Sequence, residues 1–445
     1  MEYRRMARLP RLFAAFMLAL ALPAHAAAPQ HFTLENGLEL VVIEDHRAPV
    51  VTQMIWYRVG AADEPAGHSG IAHYLEHLLF KATDNMEQGE FSATVEAQGG
   101  RDNAFTSWDY TAYHQRVAAD RLELMMQMEA DRMVNLRLDL SDWLPERAVV
   151  LEERGQVLES RPEGVFNEQM RAALFQNHPY GVPIIGWRHE IAQLDDDIAG
   201  AFYRTHYAPN NAVLLIAGDV EAARALELAE RHYGPIPANP DLPARARPLE
   251  PPQHAERRLT LRDSRVGQPY VSRLYLAPNR RPGDQREAAA FQVLAGLLGG
   301  SAQTSVLERR LTYDEGVSLS AWAGYMGTGV DHGVFSLGIM PAPGVEMQEA
   351  EDALDRALAD FIENGVDMDQ LERVRMQLRA ATIYEQDSAT ARARTIGADL
   401  STGLTLADSL GWIEILQDIT PEEVLAAARA LDRRAAVTGW LMGDE

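Results

Sequence analysis

The chain has 445 residues, 47% of them hydrophobic and 24% charged, and it contains no cysteine. Those proportions describe a folded globular protein, and the length calls for at least two domains. A formal net charge of −24 argues against nucleic acid and anionic membranes as partners, while the missing cysteines rule out disulfide staples and thiolate metal ligands.

The first predicted element is a leader. Arg4, Arg5, Arg8 and Arg11 precede the apolar run "LFAAFMLALAL", and the small-residue stretch "PAHAAAPQ" follows it. Basic, apolar and small-residue regions in that order read as a secretory signal peptide over residues 1–26, with Ala24-His25-Ala26 at the cleavage site. The apolar run falls well short of the roughly 20 residues needed to span a bilayer core, so no stable membrane anchor is expected. The rest of the chain is expected to be periplasmic.

Strand-like sequence, "LELVVIEDHRAPVVTQMIWYRVG", then leads to "GIAHYLEHLLF" at residues 70–80. Its apolar periodicity predicts a helix, on which positions i and i+4 share a face. His73 and His77 therefore point at one spot, with Glu76 beside them. Either histidine alone would read as an ordinary core residue. As a pair they form half of a zinc site, which needs a third ligand and one open position for catalysis.

Strand-rich "RDNAFTSWDYTAYHQRV" comes next, and then the helix "PERAVVLEERGQVLE". Val149, Val150 and Val157 are expected on its buried face, where Glu146 and Glu153 also fall, whereas Glu152 turns to solvent. A carboxylate on an apolar stripe needs compensation, and a metal supplies it. Glu153 is thus the expected third ligand of one zinc per chain. Glu146 is expected behind the metal or near the substrate, and Glu76 as general base on the zinc-bound water. His114, His178 and His206 are expected to be structural.

A Pro-rich linker over residues 236–254 separates residues 27–235 from 255–445, and the two segments echo each other. In both, strands, a helix, more strands, long helices and a closing strand follow in the same order. The expected fold is α+β: two homologous domains, each a mostly antiparallel mixed sheet packed with helices. The second has no counterpart of His73, Glu76 and His77, and it carries Arg379 where the first has Glu153.

H-x-x-E-H is the inverted zincin motif. With "GGRDNAFTSWDYTAY", "ERAVVLEE", "HPYGVPIIG" and "HYAPNNAVLLIAGD" in that order, the chain resembles the insulinase/pitrilysin family of zinc metallopeptidases. It is most similar to short bacterial members and to mitochondrial processing peptidase subunits. The resemblance implies two domains in a clam-like arrangement. It also implies an edge strand near Asn103, Ala104 and Phe105 that holds a peptide or unfolded polypeptide as an added strand. It further implies a substrate-binding Arg in the second domain followed seven residues later by a Tyr. Arg310 is the candidate, yet Val317 stands seven residues on, alignment on Gly316 puts Leu319 there, and Tyr313 and Tyr325 are out of register.

The expectation is a zinc endopeptidase subunit completed by a paralogous partner in a heterodimer, or else a homodimer. The contrasting readings are a non-catalytic scaffold or peptide-binding subunit of a larger complex, and a zinc carrier without hydrolysis.

Overall fold

Two β-sheets of matching connectivity frame the protein. The computed structural model describes residues 28–444, so the expected signal peptide lies outside the described residues. In chain order the first half contributes β1 (Gln30–Thr33), β2 (Glu39–Glu44), β3 (Val50–Tyr57), β4 (Ala82–Thr83), β5 (Arg101–Thr106), β6 (Thr111–Ala118), β7 (Leu136–Arg137) and β8 (Ala212–Gly218). The second half contributes β9 (Arg257–Arg262), β10 (Tyr270–Ala277), β11 (Ser318–Met326), β12 (Gly333–Pro341) and β13 (Val437–Met442).

The first sheet has the order β1-β2-β8-β3-β6-β5 and the second β11-β12-β10-β13-β9, while β4 and β7 pair separately. Read from its other edge, the second sheet repeats the first without β1. Each is antiparallel except for one parallel pair, β2 with β8 and β9 with β13. The duplicated α+β architecture read from the sequence is therefore present. β5 is an edge strand, with one side of its backbone unpaired.

Strand β8, "AVLLIAG", is buried along its whole length, because helices cover both faces of the first sheet. One face packs on helices of its own half, including Ile71–Leu78 and Leu122–Val134. The opposite face is covered from the second half: Ala393, Ile396 and Leu400 of the helix Ala389–Ser401 sit on Val41, Met54, Trp56 and Leu215. The favour is returned by the first-half helix Pro162–Leu174, whose Phe166, Met170 and Leu174 pack against Val437 and Leu441. The two halves exchange a helix.

The Pro-rich stretch forms no helix or strand and is pinned by a buried ion cluster. Arg247 lies 2.7 Å from Asp63, 2.5 Å from Asp109 and 3.0 Å from Asp331, joining the linker to both halves. Asp109 also accepts hydrogen bonds from the Tyr180 hydroxyl at 2.5 Å and the Val330 amide at 3.1 Å. Among the described residues, no helix is long and apolar enough to cross a membrane.

Candidate metal centre and peptide cleft

The helix Ile71–Leu78 starts at Gly70, whose φ of +90° suits glycine, and a Cβ there would meet the Ile185 carbonyl at 2.5 Å. Glu64 accepts hydrogen bonds from the Gly70 and Ala72 amides, each at 2.9 Å, meeting donors that a helix N-terminus leaves free. Ile71, Tyr74, Leu75 and Leu78 are buried, which leaves His73, Glu76 and His77 on the remaining side. The Tyr74 hydroxyl donates to the Trp143 carbonyl, tying this helix to the helix Leu140–Arg154 that carries Glu146 and Glu153.

The structure brings His73, His77 and Glu153 together, with one ligand atom from each lying within 4.8 Å of the others. Glu153 Oε2 is 3.3 Å from His77 Nε2 and 3.8 Å from His73 Nε2. Tetrahedral zinc with bonds of about 2.0–2.1 Å places its ligand atoms roughly 3.3–3.4 Å apart, and the two Glu153–histidine separations of 3.3 and 3.8 Å lie close to that spacing, so the donor types and these two separations fit zinc. Burial and the neighbouring His77 push the pKa of His73 down to about 3, which keeps its imidazole neutral.

Glu146 stands behind His77. Its Oε1 accepts from His77 Nδ1 at 2.8 Å, which fixes the tautomer and turns Nε2 toward Glu153. Its Oε2 lies 2.5 Å from Nζ of Lys81, the only lysine in the chain. Burial works to raise the pKa of Glu146, but these two partners outweigh it and hold the carboxyl below its usual range. Burial likewise opposes the charged form of His77, but Glu146 and the nearby carboxylates raise its pKa overall.

Glu76 faces a cavity of about 840 Å³ that His73, His77 and Glu153 also line. Its Oε2 accepts from the Thr106 hydroxyl at 2.5 Å; burial raises its pKa despite this bond. Asn103, Ala104 and Phe105 of edge strand β5 form one rim, and Trp108, Val157 and Ile184 belong to the apolar wall. Every lining residue falls between His73 and Ile185, so this cavity is built by the first half alone.

Arg310 is not among the lining residues; its guanidinium pairs with Glu315 and Asp360. Tyr313 is exposed and donates to the Ala302 carbonyl, and Tyr325 donates to the Pro278 carbonyl. The valine stripe expected on the Glu153 helix is only partly buried. Val150 is fully buried, but Val149 and Val157 are 49% and 55% exposed. The buried line runs through Trp143, Glu146, Val150 and Arg154 instead, and the π-turn Gly155–Glu159 then rotates Val157 to the cleft. Sequence reasoning missed Lys81 and Thr106, although Thr106 lies inside the quoted motif around β5.

The family model described as Insulinase (Peptidase family M16) matches residues 40–187, and the one described as Peptidase M16 inactive domain matches residues 197–378. The zinc protease PqqE of Helicobacter pylori is 29% identical over 397 residues, covering 88% of each chain. An uncharacterized zinc protease of Mycobacterium bovis is 30% identical over 432 residues, covering 94% of each. The crystal structure of a protease from Helicobacter pylori superimposes with a TM-score of 0.86 at 26% identity, covering 93% of this chain and 99% of that one.

Proposed function

The chain belongs to the insulinase family, peptidase family M16, and is a zinc metalloprotease; from that premise we propose an exported endopeptidase subunit that cuts peptides or unfolded polypeptide segments. In this reading residues 27–235 are the metal-bearing domain, 255–445 its homologue and 236–254 the linker, and the mature protein works in the periplasm. His73, His77 and Glu153 hold one zinc per chain. Zinc bound there would lower the pKa of water and polarise the scissile carbonyl.

Glu76 Oε1, the oxygen that Thr106 leaves free, takes the proton of the attacking water and passes it to the leaving amine. Its burial-raised pKa suits both halves of that transfer. The substrate adds to the unpaired side of β5 as an extra strand, its backbone gripped by Asn103, Ala104 and Phe105. An unfolded segment offers its whole backbone for pairing in that way.

The observation that carries this reading is the convergence of His73, His77 and Glu153 beside Glu76, in a cleft rimmed by an edge strand. Elemental analysis and a quenched-fluorescent unstructured peptide test it. The wild type should hold about one zinc and cut the peptide. Glu76→Gln should keep the zinc and lose hydrolysis, and His73→Ala should lose both. Zinc lost from Glu76→Gln but kept in His73→Ala would sink the assignment.

The wall facing the metal is the place for a partner. Since Arg310 is engaged by Glu315 and Asp360, no second-half group in the described structure stands opposite the zinc ligands in this cavity. One missing oxyanion donor typically costs about 10²–10³ in rate. A paralogue carrying the Arg/Tyr pair should therefore raise peptidase activity at least tenfold on mixing. The same engagement of Arg310 favours the second reading, a non-catalytic peptide-binding subunit. A zinc-loaded chain that binds peptides and cuts none, alone or with the paralogue, would establish it.

A further inference from the structure

Three arginines crowd the outer side of the edge strand, and among the described residues no acidic group pairs with them. Alternate residues of a strand face opposite sides of its sheet. Thr106 reaches Glu76 on the metal side, so Arg101, Asn103 and Phe105 face away from it, as do their cross-strand partners Arg116, His114 and Ala112. The helix Ala389–Ser401 lies on that far side, and its Arg394 holds its guanidinium 4.6 Å from the centre of the Phe105 ring.

Arg101, Arg116 and Arg394 are all exposed, and none forms an ion pair or side-chain hydrogen bond among the described residues. From Arg101 to Phe105 the strand covers about 13 Å, so the three cations make a strip along the far side of β5. Arg101 and Arg116 are directly opposed across the β5–β6 ladder, an arrangement of like charges that destabilises a sheet. Composition does not force this crowding, because acidic residues outnumber basic ones by 65 to 41. An anionic group laid along the strand edge would compensate these cations.

We propose that Arg101, Arg116 and Arg394 select acidic side chains at alternate positions of the peptide strand added to β5. The inference rests on the edge-strand reading of substrate binding given above. A strand added to β5 lies about 4.7–4.9 Å away and points every second side chain to the arginine side, the others to the metal. Glu or Asp in the first phase meets the strip, and in the other phase it meets the carboxylates of the metal site. The phase therefore matters as much as the charge.

Binding separates this idea from the chemistry. Three fluorescein-labelled peptides of equal length would carry Glu at alternate positions, Glu at the intervening positions, or Gln throughout. Their dissociation constants are read by anisotropy on the zinc-loaded Glu76→Gln protein, and hydrolysis is followed in parallel on the wild type. One Glu phase should bind about tenfold more tightly than the Gln peptide, and the advantage should shrink between 0.1 and 1 M salt as the Debye length falls from about 10 to 3 Å. R394Q and R101Q should each reduce the advantage about threefold without lowering the melting temperature, since both side chains are exposed and R101Q removes a like-charge pair.

Equal binding of all three peptides, no binding of any, or a preference that survives R394Q and R101Q together, would overturn the strip. Phase-dependent binding without any hydrolysis, alone or with the paralogue, would leave the strip standing and refute the peptidase reading instead.

Discussion

Glu146→Gln is the most exacting test of how the metal site is held. Glutamine keeps the length of the side chain and one oxygen for His77 Nδ1, but it loses the charge and presents an amide to Lys81. In the native site the carboxylate spans His77 at 2.8 Å and Lys81 at 2.5 Å, so both contacts are altered at once. Losing a carboxylate that orients a ligating histidine typically lowers metal affinity about 10–100-fold, which corresponds to about 1.4–2.8 kcal/mol. Lys81→Met changes the same carboxylate in the opposite sense. It leaves the full charge of Glu146 on His77, so zinc should be held at least as tightly as in the wild type. The assay is competition with a chromophoric chelator at fixed pH for the wild type, both single variants and the double variant, which together give the coupling energy. Wild-type affinity in Glu146→Gln would refute the reasoning. Equal weakening in Lys81→Met would show that the trio is only a packing unit.

Three further outcomes are expected. Glu153→Gln should lose zinc at equilibrium dialysis, whereas Glu152→Gln, at an exposed helix position, should be nearly silent. Gly397→Ala should lower the melting temperature by several degrees, because a Cβ there would meet the buried Trp56 ring at 2.2 Å and overpacking typically costs about 1–3 kcal/mol. Burial tends to raise the pKa of Asp331, but His178 and Arg247 outweigh it and hold it at about 2, below the ordinary aspartate value of 3.8. A depressed folded-state pKa contributes stability that is complete above the unfolded value and is lost as pH falls toward the folded one. Asp331→Asn should therefore destabilise the protein at pH 7 in urea titrations, with the gap from wild type narrowing below about pH 4; a gap that is constant or widens toward acid would contradict the ion cluster.

The duplicated sheets and the histidine helix were legible because they rest on local periodicity. His73 and His77 share a face by spacing alone, and Glu146 and Glu153 lie two turns apart on one regular helix. Legibility stopped where that helix stopped being regular. The π-turn after Arg154 shifts the phase, so Val157 belongs to the cleft and not to the core. Val149 was misplaced for a related reason: Trp143, Val150 and Arg154 set the buried line, and a run of valines carries no phase of its own. Lys81 and Thr106 act through partners far away in sequence, Glu146 and Glu76, and no spacing rule announces such pairs. The exchanged helices were hidden for the same reason, since an apolar helical face does not say which sheet it will cover.

That exchange sets a timetable for folding. The strands of the first sheet are complete once Gly218 has been made, yet the helix that seals its outer face begins at Ala389, roughly 170 residues later. At 5–20 residues per second the ribosome needs about 10–30 s to cover that gap. Throughout it, Val41, Ile43, Met54, Trp56, Val213 and Leu215 lack that helix, and from their own half Phe105 and Tyr110 pack only at one edge of the patch, around Trp56. The nascent first half must remain unfolded or be shielded by a chaperone until the second half arrives. A fragment ending in the linker would hold His73, Glu76, His77 and Glu153 and still lack the helix that covers its outer sheet face, so it is expected to aggregate.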